Sequence, residues 1–256
     1  MPVHYGCSRL HFQTISSPLA TQVPQAAGAA YACKLEGRGR AVACYFGEGA
    51  ASEGDVPSGF NIAATTGAPV LFLVRNNGYA ISTAVREQYR GDGVAARGAA
   101  FGMHAARVDG GDVFAVLAAT RAARARAVGA GAGGRPQPVL LEFMAYREGH
   151  HSTSDDSTRY RAADEAAAWR DAANPVRRTR RFLERAGWWD AARDAELVAA
   201  ERKLVLAAMH AAEKKPRPAL DTLVTDVYKH VPPHLQQQFA DVKEHVAKHK
   251  GHYGEL

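Results

Sequence analysis

Arg40-Ala-Val-Ala-Cys-Tyr-Phe46 is a short apolar run that stops at Gly47-Glu48-Gly49, the pattern of a buried strand ending in a tight loop. Pro69-Val-Leu-Phe-Leu-Val-Arg75 and Pro138-Val-Leu-Leu-Glu-Phe-Met-Ala-Tyr146 share that texture, and Ala105-Ala-Arg-Val-Asp109 reads as a short fourth strand. Between these runs, Gln22 to Lys34, Gly54 to Thr66 and Asp112 to Val128 carry helical patterns, the last behind an Asp112 N-cap. Strands alternating with helices over short connections predict an α/β fold, a parallel sheet with helices on both faces. Ligands of such sheets sit beyond the carboxyl ends of the strands. Function is therefore expected in the loops after Phe46, Arg75 and Tyr146.

The texture changes near Tyr160. Residues 1–160 read as the α/β domain and 161–256 as a helical C-terminal region, with helix candidates at Ala163 to Ala172, Pro175 to Ala186 and Asp190 to Glu213. Asn174-Pro175 puts proline at a first helical position, and Gly187 can end that helix. Lys214-Lys-Pro-Arg-Pro218 breaks the pattern before a last short helix, Leu220 to Lys229, and a polar tail. Gly129-Ala-Gly-Ala-Gly-Gly-Arg-Pro-Gln-Pro138 reads as a flexible surface turn.

The chain has 256 residues, 46% hydrophobic and 23% charged, which is enough for a sizeable core and argues against wholesale disorder. No apolar run approaches a membrane span of about 18 residues, so no membrane partner is expected. The net charge of +6 invites nucleic acid, but the excess lies in alanine-interleaved helical segments such as Arg121-Ala-Ala-Arg124-Ala-Arg126. No groove-reading or base-stacking motif accompanies it, so no nucleic-acid partner is expected either. Cys7, Cys33 and Cys44 read as reduced thiols, and no CxxC pair suggests zinc.

Gly47-Glu48-Gly49 resembles a dinucleotide fingerprint only superficially, because the next glycine arrives too late, at Gly54. A carboxylate inside a phosphate cradle would repel its ligand unless a cation lay between them. Glu48 thus favours a metal-bridged diphosphate. Arg75-Asn76-Asn77-Gly78-Tyr79 follows the next strand and could add an amide, a backbone carbonyl and a guanidinium. Considered singly, each piece reads first as a strand-end turn.

Tyr146-Arg147-Glu-Gly149-His150-His151-Ser152-Thr-Ser154-Asp155-Asp156-Ser157 follows the third strand. Zinc, a serine nucleophile and a bland polar loop all remain open there. Adjacent histidines alternate in direction and rarely share one metal, and no hydrolase elbow is present. Ser16-Ser17-Pro18-Leu19-Ala20-Thr21-Gln22 precedes a helix and reads first as an N-cap.

The glycine-flanked acid followed by Asn-Asn one helix and strand later resembles the thiamine-diphosphate signature, in the glutamate variant of 2-oxo acid dehydrogenase E1 alpha subunits. The Gly-His-His-Ser-Thr-Ser-Asp-Asp-Ser wording is similar to the regulatory loop of their branched-chain type. The resemblance reaches Gly187-Trp188-Trp189-Asp190 and Asp226-Val227-Tyr228. It implies thiamine diphosphate bound by Ser17, Leu19, Gly47, Glu48, Gly49, Ala50, Arg75, Asn77, Tyr79, Ile81 and His151, with His151 catalytic. It implies Mg²⁺ held by Glu48, Asn77 and Tyr79, and potassium by Ser16, Thr21 and Gln22. Ser152 would be the phosphorylation site, with Arg147 and Asp155 ordering its loop. A second phosphorylated serine of the family maps to Ala162, so that site is expected to be lost.

The implied partners are an E1 beta subunit in an α2β2 assembly, a lipoyl-bearing E2 acyltransferase, and a regulatory kinase and phosphatase. The implied location is the mitochondrial matrix for a eukaryotic source and the cytoplasm otherwise. Family alpha subunits carry a long segment before the point that aligns with Met1, so an N-terminally truncated chain is expected. That motivates a second reading, a non-catalytic subunit acting only in partner binding.

Overall fold

The computed structural model describes residues 4–130 and 134–253. Its strands are β1 (Val42–Gly47), β2 (Val70–Asn76), β3 (Tyr79–Ala80), β4 (Thr83–Ala84), β5 (His104–Asp109) and β6 (Val139–Met144). Four of them form one parallel sheet in the order β1-β2-β6-β5, while β3 and β4 make a small antiparallel hairpin. The register aligns Gly47 with Arg75 and Arg75 with Phe143, so three carboxyl ends finish side by side. That alignment places the three sequence-flagged loops along one rim of the sheet.

The helices up to residue 188 are α1 (Gln22–Glu36), α2 (Asp55–Thr66), α3 (Val85–Gln88), α4 (Arg97–Ala100), α5 (Val113–Ala127), α6 (Ala163–Ala172) and α7 (Pro175–Arg185). Strand alternation sorts the core into two layers. Val70, Phe72 and Val74 face α1 and α2, packing with Val23, Ala27, Phe60 and Ala63; the Phe60 and Phe72 ring centroids are 4.7 Å apart. Leu71 and Leu73 face the other way, with Val139 and Leu141, against Ala123 and Ala127 of α5. A sheet covered on both faces explains why these strands read as unbroken apolar runs.

Local chemistry sets the helix ends. Asp112 caps α5, its carboxylate accepting from the backbone N–H groups of Phe114 and Ala115. Asn174 caps α7 through Arg177 N, with Pro175 at the first position, and Gly187 follows the helix with φ +72°.

The chain forms two compact units, one reaching to Trp188 and the other starting at Trp189. The first therefore includes α6 and α7. The second holds α8 (Ala191–Glu213), α9 (Thr222–Thr225), α10 (Pro233–Lys248) and α11 (Lys250–Tyr253). Here the sequence reading needs correction. The expected helix from Leu220 to Lys229 shrinks to four residues, and the expected polar tail contains the sixteen residues of α10. Pro233 starts that helix, and Leu235, Phe239, Val242 and Val246 form a helical stripe hidden among polar residues. The glycine-rich turn at 129–138 lies partly outside the described residues. Among the described residues, no helix is long and apolar enough to cross a membrane.

Candidate functional site

Glu48 leaves the end of β1 and turns inward, where it is only 1% exposed. Its Oε2 accepts from the backbone N–H of Asn77 at 3.1 Å, so the two residues singled out at neighbouring strand tips are brought together. Burial pushes the Glu48 carboxyl above its ordinary range. The Asn77 N–H, its own N–H and the charges of Arg147 and Arg75 oppose the shift only in part. Arg75 itself is exposed at the end of β2.

The Asn76-Asn77 pair splits its duties, Asn76 ending β2 and Asn77 lying just beyond it. Asn77 meets Glu48 through its backbone N–H, while its Oδ1 accepts from Tyr79 N at 3.2 Å, which closes the turn. Asn76 is buried and turns into the sheet, donating to Glu142 at 2.8 Å. Gly49 lets the first loop touch the second: a Cβ there would stand 2.7 Å from the Ala80 Cβ. Ala50 continues into a single 3₁₀ turn.

A desolvated carboxylate, with the Asn77 amide oxygen and the Tyr79 carbonyl on the turn that its Oε2 meets, makes a hard-oxygen set, the donor chemistry that suits Mg²⁺. The raised Glu48 carboxyl shows that the protein's own groups leave this charge under-compensated. The residues present therefore fit a divalent cation.

The third loop is tied to the second by Arg147. Its guanidinium donates to Ile81 O at 2.6 Å, to Tyr79 O at 3.5 Å and to the Tyr160 hydroxyl at 2.8 Å. Ile81 adopts φ +54°, a left-handed conformation costly for a β-branched side chain. It is also 54% exposed, so strain and exposure coincide on a residue named for the site. Tyr160 donates onward to Asp155 Oδ2 at 2.6 Å, and the same oxygen accepts from His151 N at 2.8 Å. Arg147 and Asp155 thus order the loop through Tyr160 rather than by touching each other. The Tyr160 hydrogen bond, the His151 N–H and the Arg147 charge hold the Asp155 carboxyl below its usual range.

His151 is exposed. His150 turns the other way, its Nδ1 within 3.0 Å of both Ser157 N and Ser157 Oγ. Zinc shared by the two is thereby disfavoured. Ser152 is exposed, with its hydroxyl 3.4 Å from that of Ser154. Tyr160→Phe is expected to keep the fold but release this chain of contacts. Limited proteolysis of the 147–160 loop should then be several-fold faster than in the parent protein. Unchanged cleavage would show that Tyr160 carries no such link.

The segment before α1 is only partly engaged. Ser17 Oγ lies 2.8 Å from His4 Nε2, Thr21 Oγ1 donates to Pro18 O at 3.4 Å, and Gln22 Nε2 donates to Tyr45 O at 3.1 Å. Thr21 occupies the N-cap position of α1 without a side-chain capping bond. Ser16 and Leu19 are exposed, Leu19 at 62%. Among the described residues, no hydrogen bond joins Ser16, Thr21 and Gln22 to one another.

Three residues that hold this site escaped the sequence reading. Arg161 is buried and donates to Glu148 O at 3.0 Å, Gly149 O at 2.7 Å, Ser157 Oγ at 3.0 Å and Arg147 O, stapling the loop from within. Glu165 on α6 accepts from the Tyr79 hydroxyl at 3.0 Å. Glu142 is fully buried in β6. Its signal was available, a lone acid inside an apolar run, whereas nothing local marks Arg161 or Glu165.

Comparison with known proteins bears on this rim. The family model of the dehydrogenase E1 component matches residues 1–221. The mitochondrial 2-oxoisovalerate dehydrogenase subunit alpha of Pan troglodytes is 54% identical over 100% of this chain, and that of Homo sapiens 53%. The alpha 1 subunit of the same name from Arabidopsis thaliana is 47% identical over 99% of it. The chain covers 55%, 55% and 52% of these relatives, about half their length. A solved structure assigned as a thiamin diphosphate-dependent enzyme of Mycobacterium smegmatis is 25% identical. It covers 53% of this chain and 24% of its own, with a TM-score of 0.41. With the family model spanning most of its length, the chain belongs to the dehydrogenase E1 component family.

Proposed function

We propose that this chain is the diphosphate-holding part of an alpha subunit of a branched-chain 2-oxo acid dehydrogenase, working in an α2β2 E1 component. The observation that carries the proposal is the buried Glu48 carboxylate, 3.1 Å from Asn77 N at neighbouring strand ends. The relatives' names, 2-oxoisovalerate dehydrogenase and mitochondrial, support the substrate class and a mitochondrial location, which this reading takes to be the matrix.

Glu48, the Asn77 side chain and the Tyr79 carbonyl would hold Mg²⁺, and Arg75 would contact the phosphates. Gly47, Gly49 and Ala50 supply backbone that approaches closely, and Ile81, Ser17 and Leu19 offer exposed surface to the rings. When bound, thiamine diphosphate supplies the carbanion that adds to the 2-oxo carbon and the electron sink that lets carbon dioxide leave. His151 is held by its backbone N–H on Asp155 with the imidazole free. It would orient the 2-oxo acid and pass a proton during acyl transfer to the lipoyl group of an E2 acyltransferase.

Ser152 is exposed beside His151, which suits a kinase and phosphatase pair. A phosphate there would place a dianion next to the approach of an anionic substrate. A potassium site at Ser16, Thr21 and Gln22 belongs to the same reading, supported by the oxygen-rich segment before α1.

The test is a titration of thiamine diphosphate into the complete enzyme with and without Mg²⁺, followed by turnover of branched and linear 2-oxo acids. Mg²⁺-dependent binding and preference for the branched substrates are expected. Folded protein that assembles with a beta subunit but binds no thiamine diphosphate would favour the reading as a non-catalytic partner-binding subunit.

A further inference from the structure

The Glu142 carboxylate faces a converging set of donors: Val94 N at 3.0 Å, Ala95 N at 2.9 Å, Asn76 Nδ2 at 2.8 Å and Arg107 Nε at 3.3 Å. Gly93, with φ +71°, lets the chain pass. A Cβ there would lie 2.7 and 2.8 Å from the two carboxylate oxygens. The segment around Gly93 is thus moulded onto this one charge.

An ionised carboxylate only accepts hydrogen bonds. Asn76 must therefore present its Nδ2 to Glu142, and its Oδ1 is left pointing the other way. That oxygen accepts from Gly78 N at 3.1 Å, inside the turn that carries Asn77. The next N–H back along the chain is the one that meets Glu48. One buried charge on β6 consequently selects the amide orientation that braces the turn after β2.

We infer that Glu142 is a positioning residue for the metal-binding turn, acting through the Asn76 amide on Gly78 and so on the placement of Asn77 against Glu48. The inference rests on the reading of Glu48 and Asn77 as metal ligands. Glu142 touches neither the ion nor the substrate. Its role is to fix which way Asn76 faces.

The test replaces Mg²⁺ with Mn²⁺ in the complete holoenzyme and follows free Mn²⁺ by electron paramagnetic resonance, with thiamine diphosphate present. Glu48→Gln should lose Mn²⁺; if its binding is unchanged, the ligand assignment falls and this inference with it. Glu142→Gln, with its N–H₂ toward Asn76, turns the Asn76 oxygen away from Gly78 and also takes the acceptor from Val94 N, which shares that oxygen. It should weaken Mn²⁺ binding by about 10–100-fold, the range typical when the support of a metal ligand is removed. Asn76→Ala leaves Glu142 its other donors and should show a similar loss, which keeps the test decisive if Glu142→Gln does not fold. Adding Asn76→Asp to Glu142→Gln reverses the hydrogen bond while keeping an acceptor for Gly78 N, and most of the affinity should return. Wild-type Mn²⁺ affinity in Asn76→Ala, or a Glu142→Gln loss that Asn76→Asp leaves wholly unrecovered, would overturn the inference.

Discussion

Glu48→Gln is expected to abolish Mg²⁺-dependent oxidative decarboxylation in the complete enzyme, with kcat/KM lower by on the order of 100-fold or more. The neutral amide keeps the shape of the side chain and can still accept from Asn77 N, so the native fold should persist. What would disappear is the anion proposed to draw a divalent cation to the rim. The effect should fall on cofactor retention, and raising Mg²⁺ and thiamine diphosphate should recover part of the rate. Equal loss at every cofactor concentration would place Glu48 in the chemistry rather than the anchor.

The Glu48 carboxyl also sets a pH dependence. Its folded-state value is raised, chiefly by burial. In the metal-free protein, the stability it contributes is therefore present below the ordinary carboxylate range and lost as pH rises through the raised value. A bound divalent cation reverses this cost. Thermal stabilisation by Mg²⁺ and thiamine diphosphate should hence grow with pH across that window in the parent protein and be flat in Glu48→Gln.

Glu142→Ala should be the most destabilising single change at the rim, by about 3–5 kcal/mol in urea unfolding. It removes the acceptor of two buried backbone N–H groups and of Asn76, and one of the two carboxylate partners of the exposed Arg107. Arg107 is partly relieved, since it also pairs with Asp92 at 2.9 Å near solvent. Burial pushes the Glu142 carboxyl up, but its four donors outweigh burial and hold it below the usual range. Its contribution is present above the ordinary carboxylate range and lost as pH falls through the lowered value. Parent and variant should accordingly converge in stability at acid pH. A variant that loses less than about 1 kcal/mol at neutral pH would show that the 89–97 segment is held by something else.

Much of the sheet could be read directly. Apolar runs closed by Gly47, Arg75 and Tyr146 gave strand identity because both faces of a parallel sheet are buried and leave no polar alternation. Helix starts at Asp112, Asn174 and Asp190 followed from capping chemistry that is local by nature. The helix Pro233–Lys248 was overlooked because its apolar stripe is thin and diluted by Gln and His.

Glu48, Asn77, His151 and their loops were legible because ligand-binding loops in this architecture follow strands, and strands are marked by composition. That Asn76 turns into the sheet required the pleat of β2 in its actual register, since a shift of one residue would turn it out. The bond from Arg147 through Tyr160 to Asp155, the staple at Arg161 and the Glu142 charge span residues that nothing in a linear pattern joins. Composition and periodicity marked which segments become strands and where their carboxyl ends fall, because those are near-neighbour effects. Only the tertiary arrangement decided which buried polar groups satisfy one another, because that depends on which chain segments burial forces together far from their neighbours in sequence.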